Sequence, residues 1–327
     1  MKIYGNRHII DLTAQMISKG KEPHSLIIHG EKGLGKKALA RYIASQLMCE
    51  EKRGVPCGKC RACQMIDHGA HPDLIFAKSN EKGNYFVDDI REQIVSDAVV
   101  MPNEGDIKVY VIPDFDLSVI TSVQVQNILL KLIEEPPAHT AVILTARSKE
   151  IFLPTIISRC LSFAAVAVSD GDSAEYLQEN FPDATAVQIA DAVRAGHGNI
   201  GRCREYLEQG EFFTAANEAS KLARAYCTRN EYELLKVLSG LTKKNELRQC
   251  VYLFSEIVRD AAVHSAGSEG ELISCDPAAA KELSGLLTPA MGWQLYDLLC
   301  REIKKLDSNC NVSLTANDLC ALLVSGR

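Results

Sequence analysis

Gly30-Glu31-Lys32-Gly33-Leu34-Gly35-Lys36 follows the apolar run Leu26-Ile27-Ile28 and leads into a helical pattern over Lys37–Leu47. This is the GxxxxGK spacing between a strand and a helix. Glycines let consecutive backbone amides curl toward an anion, and the start of the following helix adds positive potential. Gly30, Gly33, Gly35 and Lys36 therefore read as a phosphate cradle. Further along lie four more short apolar runs: Leu74-Ile75-Phe76, Val109-Tyr110-Val111-Ile112, Ala141-Val142-Ile143-Leu144-Thr145 and Leu161-Ser162-Phe163. Buried strands alternating with helices predict a parallel sheet covered on both faces, in an α/β domain.

Two positions around the cradle depart from a working magnesium site. The residue after the loop lysine ordinarily offers a hydroxyl to the ion. Here it is Lys37, which cannot ligate a cation and is expected to bring a second ammonium toward the phosphates. The run Val109–Ile112 should end in a metal-holding aspartate, and Pro113 stands there instead. Asp114 follows, where a related ATPase carries a water-polarising glutamate. The cradle thus reads as retained for its fold, with neither ATP nor magnesium expected in the chain's own site. Lys32, Lys36 and Lys37 form a local basic patch that suits DNA phosphates or a remnant nucleotide site equally well.

Cys57, Cys60 and Cys63 recur at three-residue spacing, and Cys49 lies eight residues upstream. Four thiolates within so short a segment suit one closed, tetrahedral, structural zinc per chain. The Pro56-Cys57-Gly58 turn lets neighbouring sulfurs converge. A redox dithiol is the other reading of a CxxC pair. His68 and His71 lie near enough to compete as ligands but read better as turn residues. The remaining eight cysteines have no metal spacing and read as free thiols, mostly in the core.

Past Val168 the strand signal stops, and Ser169-Asp170-Gly171-Asp172 reads as a polar linker. Three short helical stretches run to Gln209, broken at Phe181-Pro182 and at Gly196-His197-Gly198. From Glu211 the pattern is helical throughout. Leu247, Val251, Phe254 and Val258, and later Leu295, Leu299, Ile303 and Leu306, mark faces buried in a bundle. The expected domains are 1–168, carrying the cysteine module at 49–63, then a small helical domain over 169–210, then a helical bundle over 211–327.

The 327 residues, 46% hydrophobic and 24% charged, are those of an ordinary globular protein. A net charge of −6 excludes a strongly basic, free-standing nucleic-acid binder. No apolar run approaches the roughly 18 residues of a membrane span. The first residues show no secretory pattern, so a cytoplasmic location without membrane contact is expected.

Two longer strings make a resemblance specific. Asn127-Ile128-Leu129-Leu130-Lys131-Leu132-Ile133-Glu134-Glu135-Pro136-Pro137 is similar to an NxLLKxLEEPP stretch, and Leu153-Pro154-Thr155-Ile156-Ile157-Ser158-Arg159-Cys160 to an LPTIxSRC stretch. With the cradle and the cysteine insert, these resemble the bacterial clamp-loader subunits of the AAA+ class over residues 4–210. The resemblance implies a RecA-like domain, a helical lid (169–210) and a C-terminal collar (211–327) in a ring that loads a sliding clamp on primed DNA. The implied partners are the motor (gamma/tau) and delta subunits, the clamp and the primed DNA. Lys37 and Pro113 point to the delta-prime branch of that family. The alternative is an ATP-hydrolysing motor of the gamma/tau type.

Three roles come only from the resemblance. Arg159 is the arginine finger lent to a neighbour's ATP site, against the plainer reading of a surface salt bridge. Thr145 occupies the place of a polar γ-phosphate sensor. Arg202 occupies the place of a lid arginine that meets nucleotide. Glu134 and Glu135 read as a helix end stopped by Pro136-Pro137, not as acid–base groups.

Overall fold

The computed structural model describes residues 2–80, 84–115, 122–268, 270, 272–308 and 310–325. Asp116, next to the altered strand end, lies outside them. The chain divides into two compact units, Met1–Val168 and Ser169–Arg327.

The first unit is built on a five-stranded parallel sheet. Its strands are β1 (Ser25–His29), β2 (Leu74–Phe76), β3 (Lys108–Ile112), β4 (Thr140–Ala146) and β5 (Leu161–Ala164), in the order β2-β3-β4-β1-β5. Every strand expected from sequence is present. Side chains alternate between faces along each strand, and the cores separate accordingly. Ile27, Tyr110, Ile112, Val142 and Leu144 join one core, which α5 (Ser122–Glu134) helps to cover through Val125, Leu129 and Leu132. Leu26, Ile28, Val109, Val111 and Ile143 join the other, beneath α1 (Arg7–Ser18) and α2 (Lys36–Met48). Burial on both faces holds for β1, β3 and β4 but fails at the edges. Strand β2 is only half-buried and Leu161 of β5 is 40% exposed. An outer strand has a neighbour on one side only, so less of it is covered.

Four shorter helices complete this unit or open the next. In the first unit, α3 (Arg61–Asp67) follows the cysteine segment. There α4 (Val87–Ile90) runs into a π-helical turn at Arg91–Ser96, and α6 (Pro154–Ile157) precedes β5. The fourth, α7 (Asp170–Asn180), corrects the linker expected at 169–172. Ser169 is its N-cap, accepting from the Asp172 amide, and Asp170 and Asp172 sit in its first turn. A serine cap with acidic residues beside it satisfies the free amides and the positive end of the helix dipole.

Helices α8 (Ala186–Gly196) and α9 (Ile200–Leu207) close a small core with α7 around Leu177, Ile189, Ala192, Val193 and Cys203. A larger core joins α10 (Glu211–Cys227), α11 (Glu231–Gly240), α12 (Lys244–Ser265), α13 (Pro277–Ser284), α14 (Pro289–Asp307) and α15 (Val312–Ser325). Leu247, Val251, Phe254 and Val258 of α12 are fully buried in it, as the helical stripe requires. Among the described residues, no helix is long and apolar enough to cross a membrane.

Candidate functional site

In parallel sheets of this kind, ligands bind beyond the carboxyl ends of the strands. Here the ends of β1, β3 and β4 are tied together. The Gly30 amide donates to the Ala146 carbonyl at 3.1 Å, joining the cradle to β4. The Asp114 amide donates to Thr145 Oγ1 at 2.9 Å, joining the end of β3 to β4. Gly30, Gly33 and Gly35 all have positive φ (151°, 94° and 74°). At Gly30 a side chain is also barred by space, because a Cβ would lie 2.7 Å from the Ala165 carbonyl oxygen.

Lys36 opens α2 and is buried. Its ammonium donates to the carbonyls of Gly30 (2.7 Å) and Glu31 (2.8 Å), which offset the cost of burying a charge. Lys37 does not point an ammonium into the cradle. Its Nζ lies 5.5 Å from the centre of the Phe76 ring, which Arg41 also approaches at 5.3 Å. A cation over an aromatic face is attracted by the ring's electrons, so Phe76 draws Lys37 away from the loop. The ammonium expected beside the phosphates at Lys37 is thus turned toward Phe76 instead.

Pro113 offers the cradle no carboxylate, and its carbonyl accepts from the Tyr85 hydroxyl. Tyr85 is buried, and burial pushes its phenol up from its ordinary pKa. Asp114 is exposed, with left-handed backbone at φ 49°, and Thr145 is fully buried. The assembled cradle can therefore offer amides and one ammonium to an anion. It places no hydroxyl or carboxylate at either position where a divalent cation is ordinarily held.

The four cysteine sulfurs, from Cys49, Cys57, Cys60 and Cys63, lie within 4.8 Å of one another. Tetrahedral Zn–S bonds of about 2.3 Å set sulfurs ~3.8 Å apart, so the set can close on one ion with small movement. Cys49 caps the end of α2 and Cys60 caps the start of α3. Gly58, at φ 71°, makes the turn between them. Backbone amides are aimed at the sulfurs: Cys57 N to Cys49 Sγ (3.4 Å), Cys60 N to Cys57 Sγ (3.3 Å) and Cys63 N to Cys60 Sγ (3.4 Å).

Burial pushes the Cys63 thiol up to about 12 and raises Cys49 as well. Amides of Lys59 and Cys60 lower half-buried Cys57 to about 7. Metal binding requires the thiols to be deprotonated, so a cation would have to offset the cost of ionising the two buried ones. His71 is buried and accepts from the Asp73 amide through Nδ1, and His68 ends α3. Neither joins the sulfur cluster. Of the other eight cysteines, Cys203, Cys250 and Cys320 are buried and the rest half-buried.

Arg159 lies between α6 and β5, with its side chain 43% exposed. Its Nε is 3.1 Å from Glu134 Oε1, and its Nη1 donates to the Thr155 carbonyl and Ser158 Oγ. The surface salt bridge is therefore present, and the guanidinium is still accessible. Arg202 belongs to the second unit, where it lies about 6 Å from the Phe212 and Tyr252 rings.

Sequence reasoning missed Tyr85, Phe76 and the partnership of Glu134 with Arg159. Lys37 and Arg41, four residues apart on a helix, were a legible sign of a shared surface partner. Tyr85 carried no such sign.

The family model described as DNA polymerase III, delta subunit, matches residues 5–167. The chain is 30% identical to DNA polymerase III subunit delta' of Pseudomonas aeruginosa over 190 residues, 58% of this chain and 57% of that protein. It is 35% identical to DNA polymerase III subunit gamma of Buchnera aphidicola subsp. Schizaphis graminum over 178 residues, 54% of this chain and 47% of that protein. The chain thus spans about half the length of the curated relatives it matches. A solved gamma subunit-related protein of Thermotoga maritima shows a loose likeness, with a TM-score of 0.47 at 17% identity over 97% of this chain and 99% of that one. Through residues 5–167, the chain belongs to the AAA+ clamp-loader subunits of DNA polymerase III.

Proposed function

We propose that the chain is a delta-prime-type clamp-loader subunit. It does not hydrolyse ATP, and it lends Arg159 to the ATP site of an adjoining motor subunit. The observation that carries this reading is the state of the two metal positions. Lys37 has an ammonium where a hydroxyl would ligate and Pro113 has no carboxylate, so neither side chain can hold the magnesium that phosphoryl transfer needs. Gly30, Gly33, Gly35 and Lys36 remain as a cradle, with Asp114, Thr145 and Arg202 as relics of nucleotide contacts. Arg159 keeps an exposed guanidinium suited to spreading phosphoryl charge.

The division into a 1–168 AAA+ domain, a 169–210 lid and a 211–327 collar belongs to this reading, as does a cytoplasmic location. So do the partners: gamma/tau motor and delta subunits, and through them a sliding clamp and primed DNA. Cys49, Cys57, Cys60 and Cys63 would hold one zinc per chain, a closed structural ion that fixes the segment between α2 and α3.

The second reading is an ATP-hydrolysing gamma/tau-type motor, favoured by the 35% identity to a gamma subunit. Turnover by the isolated chain separates the two. The expected result is no magnesium-dependent ATP hydrolysis above that of a Lys36→Ala control. Hydrolysis that Lys36→Ala abolishes would establish the motor reading instead.

A further inference from the structure

Glu134 is the last residue of α5, followed at once by Glu135-Pro136-Pro137. A carboxylate there meets the negative end of the helix dipole, where cations are favoured. Helix stability therefore does not account for it. Its Oε1 instead lies 3.1 Å from Arg159 Nε. Nη1 of the same guanidinium is engaged by the Thr155 carbonyl at 3.2 Å and Ser158 Oγ at 3.3 Å. The guanidinium is thus hydrogen-bonded through Nη1 at the turn of α6 and ion-paired through Nε at the end of α5. Nη2 has no partner among the described residues. A planar guanidinium contacted at both Nε and Nη1 has its orientation restricted, and Nη2 is the nitrogen left to face outward. With 43% of the side chain exposed, an acceptor from outside the chain can reach them.

We propose that Glu134 is a positioning residue that, with the Thr155 carbonyl, orients the Arg159 guanidinium so that Nη2 is offered to a neighbouring subunit's phosphate. The proposal rests on the reading of Arg159 as a finger in trans. Glu134 touches no substrate and acts only through Arg159. A long side chain ordinarily loses rotamer freedom when it docks. One already held in place has given up that freedom before the reaction begins. Because the finger meets charge that develops in the transition state, its loss of order lowers kcat and leaves the KM for ATP in place.

The test uses a clamp-loader complex reassembled with Glu134→Ala chain. Alanine is a good helix former and leaves α5 intact. The pair is half-exposed, so a roughly three- to fivefold fall in kcat is expected, with KM and the melting temperature unchanged. Glu134→Ala added to an Arg159→Ala chain should cost nothing further, because the two residues act as one unit. Unchanged or raised kcat for Glu134→Ala, or an equal loss on the Arg159→Ala background, overturns the positioning role. If Arg159→Ala collapses turnover while Glu134→Ala is silent, the positioning role alone fails. If Arg159→Ala is silent, the finger reading fails and the positioning role falls with it.

Discussion

Replacing Arg159 by alanine in a reassembled clamp-loader complex is expected to slow single-turnover ATP hydrolysis at the adjoining site by about 10³-fold or more. That is ~4 kcal/mol of barrier at 1.36 kcal/mol per decade. The size follows from where the guanidinium acts. Charge spreads over the phosphoryl oxygens during transfer, and a fixed cation placed against them would count for more at a closed subunit boundary than in solvent. Folding should barely change, because the ion pair with Glu134 is 43% and 42% exposed on its two sides and such pairs contribute little. Arg159→Lys should recover little, since a single ammonium cannot reproduce two parallel bonds to phosphate. Turnover within twofold of wild type for Arg159→Ala, in a complex shown to be fully assembled, would remove the role.

The second large effect concerns the cysteine module. Cys63→Ser is expected to drop bound zinc from about one per chain toward none and to unfold the segment around residues 49–63. Cys49 and Cys63 are 1% and 4% exposed, so their thiolates have little solvent to balance their charge. A bound ion would supply that balance. Ser45 donates to Cys63 Sγ, and Lys52–Asp106 and Arg61–Glu104 ion pairs join the module to the loop before β3. Loosening should therefore extend to residues 104–106. Metal analysis with amide exchange, with and without chelator, measures both effects. Full zinc content and unchanged protection in Cys63→Ser would argue against the metal site.

Much of the first unit was legible because its signals are local. Five apolar runs became five strands, and the glycine loop fell between β1 and α2 as its spacing requires. The cysteine spacing was equally readable, since three-residue steps bring sulfurs together whatever surrounds them. What sequence did not reveal depends on contacts between distant segments. Tyr85 reaches the Pro113 carbonyl across 28 residues, and Phe76 draws off Lys37. Neither pairing leaves a periodicity. Helix α1 went unread although Ile9, Thr13 and Ile17 recur at four-residue spacing and are all buried. The linker at 169–172 was misread because serine and aspartate serve turns and helix caps alike. Glu134 ends α5, as the following prolines require. Its position against the dipole was the available hint, and only the 25 residues to Arg159, closed by the fold, gave it meaning.

The most direct measurement compares ATP turnover by two reassembled complexes, one with this chain as Lys36→Ala and one as Arg159→Ala, each checked for assembly. A subunit that works only on its neighbour's nucleotide predicts near-normal turnover for Lys36→Ala and collapse for Arg159→Ala. Collapse for Lys36→Ala with normal turnover for Arg159→Ala would mean that the chain burns its own ATP and lends nothing across the boundary.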